Sequence, residues 1–406
     1  MPQLQGIRIQ NYRSLADVTL GQVVFNEGEP LPSLICFIGP NGSGKSTLLD
    51  AFAFLADCLL HGVESACDRP HRGGFHRLRT QGRNEPIRFD LCFQSSPERV
   101  PFLYQIEITE EKGVPVVRSE AGLQPQIGDV QQFPKPFFLR VKNQITAFKK
   151  YSREGDQGEE ENIELADPGR LAITTLGQLI NHPRIVALRK YIESWYLSYF
   201  VPEAARELPS AGVQKQLNRT GSNLGNVVQY LKRMHPDRFD AILGRIRERI
   251  PGIVNISHEV SSDNRLLLKF NERGYEDPFY QYGMSDGTLK MFAYLLLLED
   301  PEPPALIGIE EPENGLYHKL LEQLAREFRI HAESSHDRLQ ILVTTHSPYF
   351  IDAMAPEQVW LMEKNEQGHS TVTRTADMPR VKDLQREGIP LGSLWYSNEF
   401  DERWSL

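Results

Sequence analysis

Residues 39–47 (GPNGSGKST) have the residue types that phosphate groups require, at the spacing GxxxxGK[ST]. The glycines allow consecutive backbone N–H groups to turn toward phosphate oxygens. Lys45 would reach the terminal phosphates of a nucleotide, and the Ser46 hydroxyl would ligate Mg²⁺. This run therefore predicts the binding of a nucleoside triphosphate together with its magnesium ion.

The flanking elements agree with this motif. Residues 34–38 are apolar and typical of a buried strand, and the residues after Thr47 read as the start of a helix. A helix that begins at the loop adds a favourable N-terminal dipole to the phosphate contacts. The residues predicted to bind nucleotide here are Asn41, Gly42, Ser43, Gly44, Lys45, Ser46 and Thr47.

Two apolar runs in the C-terminal third end in residues suited to phosphoryl transfer. The first leads into Glu310 and Glu311, whose side chains point in different directions because they are adjacent at a strand end. Glu310 can then hold Mg²⁺ while Glu311 orients or deprotonates the attacking water. The second run places His346 at its tip, at the edge where ligands gather in open α/β sheets. A solvated acidic strand end and a structural histidine are the alternatives.

A third segment, residues 282–290, contains Ser285 followed by Gly287 and leads into an apolar helix. Such a turn offers a hydroxyl and free N–H groups to an anion. An ordinary capped helix start explains the same residues equally well.

Together these segments resemble the ABC-type ATPases of the RecF/SMC/OLD (overcoming-lysogenization-defect) lineage, and in particular compact prokaryotic RecF-like ATPases that carry no nuclease domain. The resemblance covers both ends of the chain. Its elements are an opening strand at 7–15, a Walker A loop at 39–47, a signature turn at 284–287, a Walker B strand at 307–311, a D-loop at 313–316 and a switch histidine at His346. Glu310 stands where most members have Asp, and Ser-Asp-Gly replaces the common Ser-Gly-Gly.

The resemblance implies an α/β ATPase head with a mixed sheet core and a helical insert subdomain. It implies a homodimer, or a higher oligomer, in which Ser285, Asp286 and Gly287 of one head close on the ATP bound by the other. It also implies nucleotide contacts from Arg13 and a metal shell of Ser46, Glu310 and a Q-loop glutamine. Gln81 and Gln94 are candidates for that glutamine, and Gln94 is preferred because it follows a strand-like run.

Composition limits the partners. The chain has 406 residues and a formal charge of −9, so only a local basic patch could attract nucleic acid. Arginines at 69, 72, 77, 79, 83 and 88 form one such run, which could face DNA or a partner or could be a solvated loop. Four cysteines without metal or redox spacing favour a reduced cytoplasmic protein. We expect no membrane-spanning segment because no apolar run is long enough.

The expected organisation is an N-terminal ATPase half over residues 1–124, a mainly helical insert over 125–260 and a C-terminal ATPase half over 261–406. Residues 153–161 read as a polar loop inside the insert. Only about sixty residues follow His346, too few for the acid-rich TOPRIM domain of OLD-type nucleases. The aromatic tail at 391–400 reads as a docking segment or as a segment packed on the head.

Two functions remain open from the sequence. One is an ATPase, with ADP and phosphate as products, that acts as a dimer switch for a separate effector in anti-phage defence. The candidate effector is a TOPRIM-like or HNH nuclease. The other is a RecF-like DNA-binding clamp or loader in DNA repair.

Overall fold

The structure, a computed structural model, describes residues 2–25, 27–94, 101–125, 134–148, 159–334 and 339–400. Its strands are β1 (Gln3–Tyr12), β2 (Leu15–Gly21), β3 (Leu34–Ile38), β4 (Ile87–Gln94), β5 (Phe102–Glu111), β6 (Val114–Gln124), β7 (Lys135–Val141), β8 (Gln144–Phe148), β9 (Glu160–Glu164), β10 (Tyr196–Ser198), β11 (Ile253–Val260), β12 (Leu266–Glu272), β13 (Phe279–Tyr280), β14 (Leu306–Glu310), β15 (Gln340–Thr344), β16 (Val359–Lys364) and β17 (Ser370–Arg374). Its α-helices are α1 (Lys45–His61), α2 (Val63–Cys67), α3 (Phe75–Leu78), α4 (Ala172–Leu176), α5 (Pro183–Glu193), α6 (Pro202–Ala205), α7 (Leu224–Met234), α8 (Pro236–Arg249), α9 (Asp286–Leu298), α10 (His318–Ser334), α11 (Pro348–Ile351), α12 (Pro379–Arg386) and α13 (Leu391–Tyr396).

The chain divides into two compact units, each built from two segments. The first unit comprises Met1–Trp195 and Trp360–Asp377, and the second comprises Tyr196–Val359 and Met378–Leu406. This division differs from the expected boundaries after residues 124 and 260. Those boundaries follow the positions of motifs and stay a prediction, whereas the two units group segments that contact one another although they are distant in sequence.

The first unit contains an eight-stranded sheet in the order β2-β1-β4-β5-β6-β7-β8-β9. Neighbouring strands are antiparallel throughout. Alternate residues face the core, as in β5, where Phe102, Tyr104, Ile106 and Ile108 are buried. Antiparallel sheets commonly bury one face in this way.

Strands β7, β8 and β9 lie within the region expected to be a mainly helical insert. In β8, Ile145 and Ala147 are buried and alternate with more exposed neighbours, the period-two pattern of a strand. Helices dominate only the later part of the insert, where α5, α7 and α8 lie. Residues 153–158 of the expected polar loop lie outside the described residues.

The element that carries the phosphate-binding motif also lies in the first unit. All five residues of β3 are buried, and α1 begins at Lys45, six residues after Gly39. The predicted strand, loop and helix are all present, and the helix begins three residues before its predicted start. Strand β3 lies beside β16, which pairs antiparallel with β17.

The second unit contains the parallel strands β10, β14 and β15, in that order. Residues Ile307 and Glu310 of β14 pair with Ile341 and Thr344 of β15, so both strands end at the same edge. A separate antiparallel sheet has the order β11-β12-β13. Within the described part of the chain, no helix has the length and apolar character that crossing a membrane requires.

Candidate functional site

The phosphate-binding loop takes its shape from three glycines with positive φ: Gly39 at 150°, Gly42 at 78° and Gly44 at 109°. Residues that carry a side chain rarely adopt these backbone φ angles. Gly39 also lacks space, because a Cβ atom there would lie 2.1 Å from the carbonyl oxygen of Met362. The loop therefore needs glycine for its backbone angles and for its contact with β16.

Lys45 holds its positive charge within this loop. It is only 5 % exposed, and its ammonium group donates hydrogen bonds to the carbonyl oxygens of Gly39 at 2.9 Å and Pro40 at 3.1 Å. Asn41, Gly42 and Ser46 are exposed. The first N–H groups of α1 have no acceptor within the helix, so they are donors for an anion at this end.

Two serines that sequence reasoning missed support the loop from outside the motif. Ser370 Oγ donates to the carbonyl oxygen of Ser43 at 2.7 Å and lies 2.9 Å from Ser14 Oγ. A Cβ atom at Gly44 would lie 2.2 Å from Ser370 Oγ. No pattern in the sequence marks Ser370, because it meets the loop only through the pairing of β16 and β17.

The residues present fit a bound phosphate. The Ser43 hydroxyl is buried and has no hydrogen-bond partner among the described residues. Buried polar groups usually have a partner, so this hydroxyl is suited to a ligand oxygen. The loop thus combines a buried ammonium, an unpartnered hydroxyl and a helix N-terminus.

Arg13, expected to contact nucleotide, lies in a buried network around Asp50 of α1. Its guanidinium is 3.3 Å from Asp50 Oδ2 and donates to the carbonyl oxygen of His71 at 2.9 Å. Tyr12 donates to the same carboxylate at 2.7 Å. Burial raises the pKa of Tyr12 well above its ordinary value, so the phenol keeps its proton. The structure thus gives Arg13 an internal partner, and its nucleotide contact stays a prediction.

Three of the six arginines in the run that suggested a basic patch are paired with acidic side chains. The side chain of Arg72 is fully buried and contacts Asp50 and Asp57, each at 2.9 Å. Arg69 is 2.9 Å from Asp57, and Arg88 is 3.0 Å from Asp90. These three arginines pair with acids on α1 and β4, so about half of the run's charge is neutralised within the protein.

Gln94, the preferred Q-loop residue, is the last residue of β4 and lies opposite Gln3 of β1. It is half-buried. Its place at a strand end agrees with the pattern that suggested it, and its role as a metal ligand stays a prediction.

In the second unit, the acidic pair sits where β14 ends. Glu310 is the last residue of β14. The next residue, Glu311, has a φ of 41°, an uncommon angle for a residue with a side chain. The Glu311 N–H donates to the carbonyl oxygen of Thr344 at 3.0 Å. Backbone strain of this kind is concentrated at functional sites.

The side chain of Glu311 meets two other predicted positions. Its Oε1 atom is 3.6 Å from Nε2 of His346, and its Oε2 accepts a hydrogen bond from the Asn314 amide at 3.0 Å. Both the glutamate and the histidine are about one-third exposed. The structure thus brings Glu311, Asn314 and His346 together, and the partial exposure of the glutamate and the histidine leaves room for solvent.

The signature residues begin α9. Ser285 is its N-cap, and its hydroxyl accepts from the Thr288 N–H at 3.2 Å. Asp286 pairs with Arg206, which also donates to the carbonyl oxygen of Met284 at 2.9 Å. Arg206 was not identified from the sequence, since it precedes the turn by almost eighty residues. The capped-helix interpretation is therefore correct, and a role in binding ATP across a dimer stays a prediction.

Helix α9 approaches residues 314 and 315, in the predicted D-loop, at two points. A Cβ atom at Gly287 would lie 3.0 Å from the carbonyl oxygen of Gly315. The Lys290 ammonium, on a side chain that is almost fully buried, donates to the carbonyl oxygen of Asn314. Burial lowers the pKa of Lys290. Lys290, another residue that sequence reasoning missed, thus ties α9 to the segment beside Glu311.

Comparison with known proteins places the motifs from the phosphate-binding loop to His346 in one family model. Residues 34–352 match the model described as "AAA domain, putative AbiEii toxin, Type IV TA system". This span contains the phosphate-binding loop, the acidic pair and His346. No relative among curated proteins matches the sequence.

Two solved structures of SMC heads resemble the fold. One is a head bound to the C-terminal winged-helix domain of ScpA, with a TM-score of 0.57, 12% identity and coverage of 91% of this chain and 97% of that one. The other, from Pyrococcus furiosus, is a head with an extended coiled coil bound to the C-terminal domain of ScpA. Its TM-score is 0.51, with 12% identity and coverage of 95% of this chain and 100% of that one. At this identity the likeness concerns the fold alone.

Proposed function

The chain belongs to this AAA-domain family, and on that premise we propose that it binds and hydrolyses ATP as a nucleotide-gated dimer. The resemblance to ABC-type ATPases of the RecF/SMC lineage and the expected α/β head fold are both confirmed. The observation that carries the proposal is the grouping of Glu311, Asn314 and His346 where β14 and β15 end. The same chain holds the Lys45 ammonium within a phosphate-binding loop.

Each residue has a distinct task in this proposal. The loop N–H groups and Lys45 bind the phosphates, and His346 steadies the Glu311 carboxylate. Glu311 accepts a proton from the attacking water, which is why its partial exposure matters. Mg²⁺ held by Ser46, Glu310 and Gln94 would neutralise charge on the phosphates. The products are ADP and phosphate.

The proposed dimer is based on the turn at the N-terminus of α9. The N-terminus of α9 has a cap and an acidic residue already paired with Arg206, so its remaining N–H groups are available to a phosphate. We infer that this end binds the γ-phosphate held by a second copy. Nucleotide would then join the two heads, as a dimer or as part of a higher oligomer.

The biological activity that this switch controls would belong to another protein. The two SMC heads were solved with a domain of ScpA bound, so heads of this fold can bind a separate partner. We propose that the partner here is an effector, with a TOPRIM-like or HNH nuclease as the candidate, and that the pair acts in anti-phage defence in the cytoplasm. A DNA clamp or loader is the second candidate, and the internal pairing of the arginine run makes it the weaker one.

The decisive test of hydrolysis compares Glu311→Gln with Lys45→Ala. Glu311→Gln should retain ATP binding and lose at least a hundredfold in turnover, because only water activation is removed. Lys45→Ala should lose binding, because the phosphates lose their cation. Lys364→Ala, at an exposed position, is the control. Turnover of Glu311→Gln at the parental rate would refute the assignment.

Sedimentation tests the dimer. Glu311→Gln with ATP and Mg²⁺ should shift to a dimer, and Ser285→Arg in that background should abolish the shift by obstructing the shared site. An oligomer that forms without ATP and tolerates Ser285→Arg would exclude nucleotide-dependent association.

Cleavage assays test the effector. The purified chain should leave DNA, RNA and NAD intact, and co-expression with the product of its neighbouring gene should produce an activity that requires Lys45. Metal-dependent DNA cleavage by the chain alone would contradict this. ATP-dependent retention on duplex or gapped DNA would instead favour the clamp.

A further inference from the structure

The peptide groups on either side of His346 are held by two side chains from distant parts of the second unit. Its backbone N–H donates to Glu313 Oε1 at 2.6 Å. Its carbonyl oxygen accepts a hydrogen bond from the indole N–H of Trp395 at 3.2 Å. Trp395 lies in α13, forty-nine residues after the histidine. The backbone that carries the imidazole is therefore fixed from both sides.

Helix α13 is seated closely on the segment that follows His346. The Gly392 N–H donates to Asp352 Oδ1 at 2.7 Å. A Cβ atom at Gly392 would lie 2.2 Å from the carbonyl oxygen of Pro348, so only glycine permits this approach. The contact places α13 directly against residues 348–352.

The rest of α13 is anchored independently of this contact. Leu391 and Leu394 are buried, and the Trp395 ring packs beside Phe400 with centroids 6.1 Å apart. Arg380 of α12 pairs with Glu399 just beyond the helix. By contrast, Tyr396 is 83% exposed. Trp395 thus belongs to a firmly packed helix, while its neighbour faces solvent.

We propose that Trp395 is a positioning residue that sets the orientation of His346 toward Glu311. The inference rests on the proposed ATP hydrolysis, because its consequence is an effect on turnover. The imidazole Nε2 is 3.6 Å from the Glu311 carboxylate, so a small rotation of the His346 backbone changes that contact. Replacing the indole removes this hydrogen bond to the His346 carbonyl oxygen, while the hydrogen bond from the His346 N–H to Glu313 remains. In this proposal, α13 supports the position of His346 beside Glu311.

The test compares Trp395→Phe, which keeps an aromatic ring and removes the N–H, with Tyr396→Phe at the exposed neighbour. Trp395→Phe should lower kcat about three- to tenfold, the range that loss of one neutral hydrogen bond allows, with KM and nucleotide affinity unchanged. Tyr396→Phe should match the parent. Equal kcat values for both variants, at equal melting temperature, would overturn the proposal.

A double-mutant comparison separates positioning from general structural damage. In a His346→Ala background, Trp395→Phe should have no further effect on turnover, because the residue it positions is gone. A further three- to tenfold loss in that background would show that Trp395 acts otherwise and would reject the proposal.

Hydrogen exchange gives a readout that does not depend on hydrolysis. The backbone amides of residues 346, 347 and 349–352 should exchange faster in Trp395→Phe and at the parental rate in Tyr396→Phe. If the parent protein hydrolyses no ATP, the proposed function fails while exchange still tests the contact. Unchanged exchange at 346–352 in Trp395→Phe would rule out the positioning role.

Discussion

The phosphate-binding loop of the first unit and the acidic strand edge of the second unit are built in different ways. The loop takes its predicted residues from one run, 41–47, and glycines with positive φ set its shape. The strand edge takes Glu311, Glu313 and His346 from two strand ends, and hydrogen bonds between the segments set its shape. A change in the loop should therefore act through local strain, and a change at the edge should act through a lost partner.

Gly39→Ala is the substitution expected to disturb the phosphate-binding loop most. The new Cβ would lie 2.1 Å from the Met362 carbonyl oxygen at a φ of 150°, so the free energy of unfolding should fall by about 3 kcal/mol and nucleotide binding should be lost. Urea unfolding and a nucleotide-binding assay measure both effects.

Gly42→Ala is the matched control for Gly39→Ala. Gly42 also has a positive φ, but no atom lies within 4 Å of a Cβ there, so the unfolding free energy should fall by only about 1 kcal/mol. Equal losses at the two positions would mean that the contact with β16 does not constrain the loop.

At the strand edge, Glu313→Ala should lower turnover about ten- to a hundredfold with nucleotide affinity unchanged. The carboxylate accepts the His346 N–H at 2.6 Å, and a hydrogen bond to a charged group contributes about 1.5–3 kcal/mol. Steady-state kinetics beside an equilibrium binding assay separates the two quantities. Glu302→Ala, at an exposed position, should behave like the parent. A loss of binding without a loss of kcat would contradict the distinction between the regions.

The smallest expected effect comes from Ser370→Ala, which tests whether the loop also depends on a distant partner. Removing the hydroxyl that donates to the Ser43 carbonyl oxygen should weaken nucleotide binding about two- to fivefold. Thr371→Ala, at the exposed next residue of β17, is the control. Identical affinities for the two variants would show that the loop keeps its shape unaided.

Motif spacing predicted the loop, the strand ends and the cap because each depends on neighbouring residues. A glycine pattern sets φ angles directly. An apolar run that leads to Glu310 or His346 predicts a strand and the residue at its end. The cap at Ser285 is likewise a contact with a residue three positions later. These features need no knowledge of how distant segments pack.

Packing alone decided the partners of those residues. Ser370, Arg206, Lys290 and Trp395 carry no motif, and each is recognised only by the group it contacts. The same limit explains the arginine run, whose composition suggested a surface patch although Arg72 is buried against Asp50 and Asp57. Strands β7, β8 and β9 were also missed, since short alternating segments are stabilised as strands by their neighbours in the sheet.

The sequence by itself thus determined that this chain carries a phosphate-binding loop, an acidic strand end and a histidine at a strand tip, because those signals lie within runs of a few residues. Only the tertiary structure decided that Glu313 and Trp395 hold the histidine, and that Ser370 supports the loop. The physical reason is that a hydrogen bond between distant segments depends on the folded path of the chain between them, which no local pattern records.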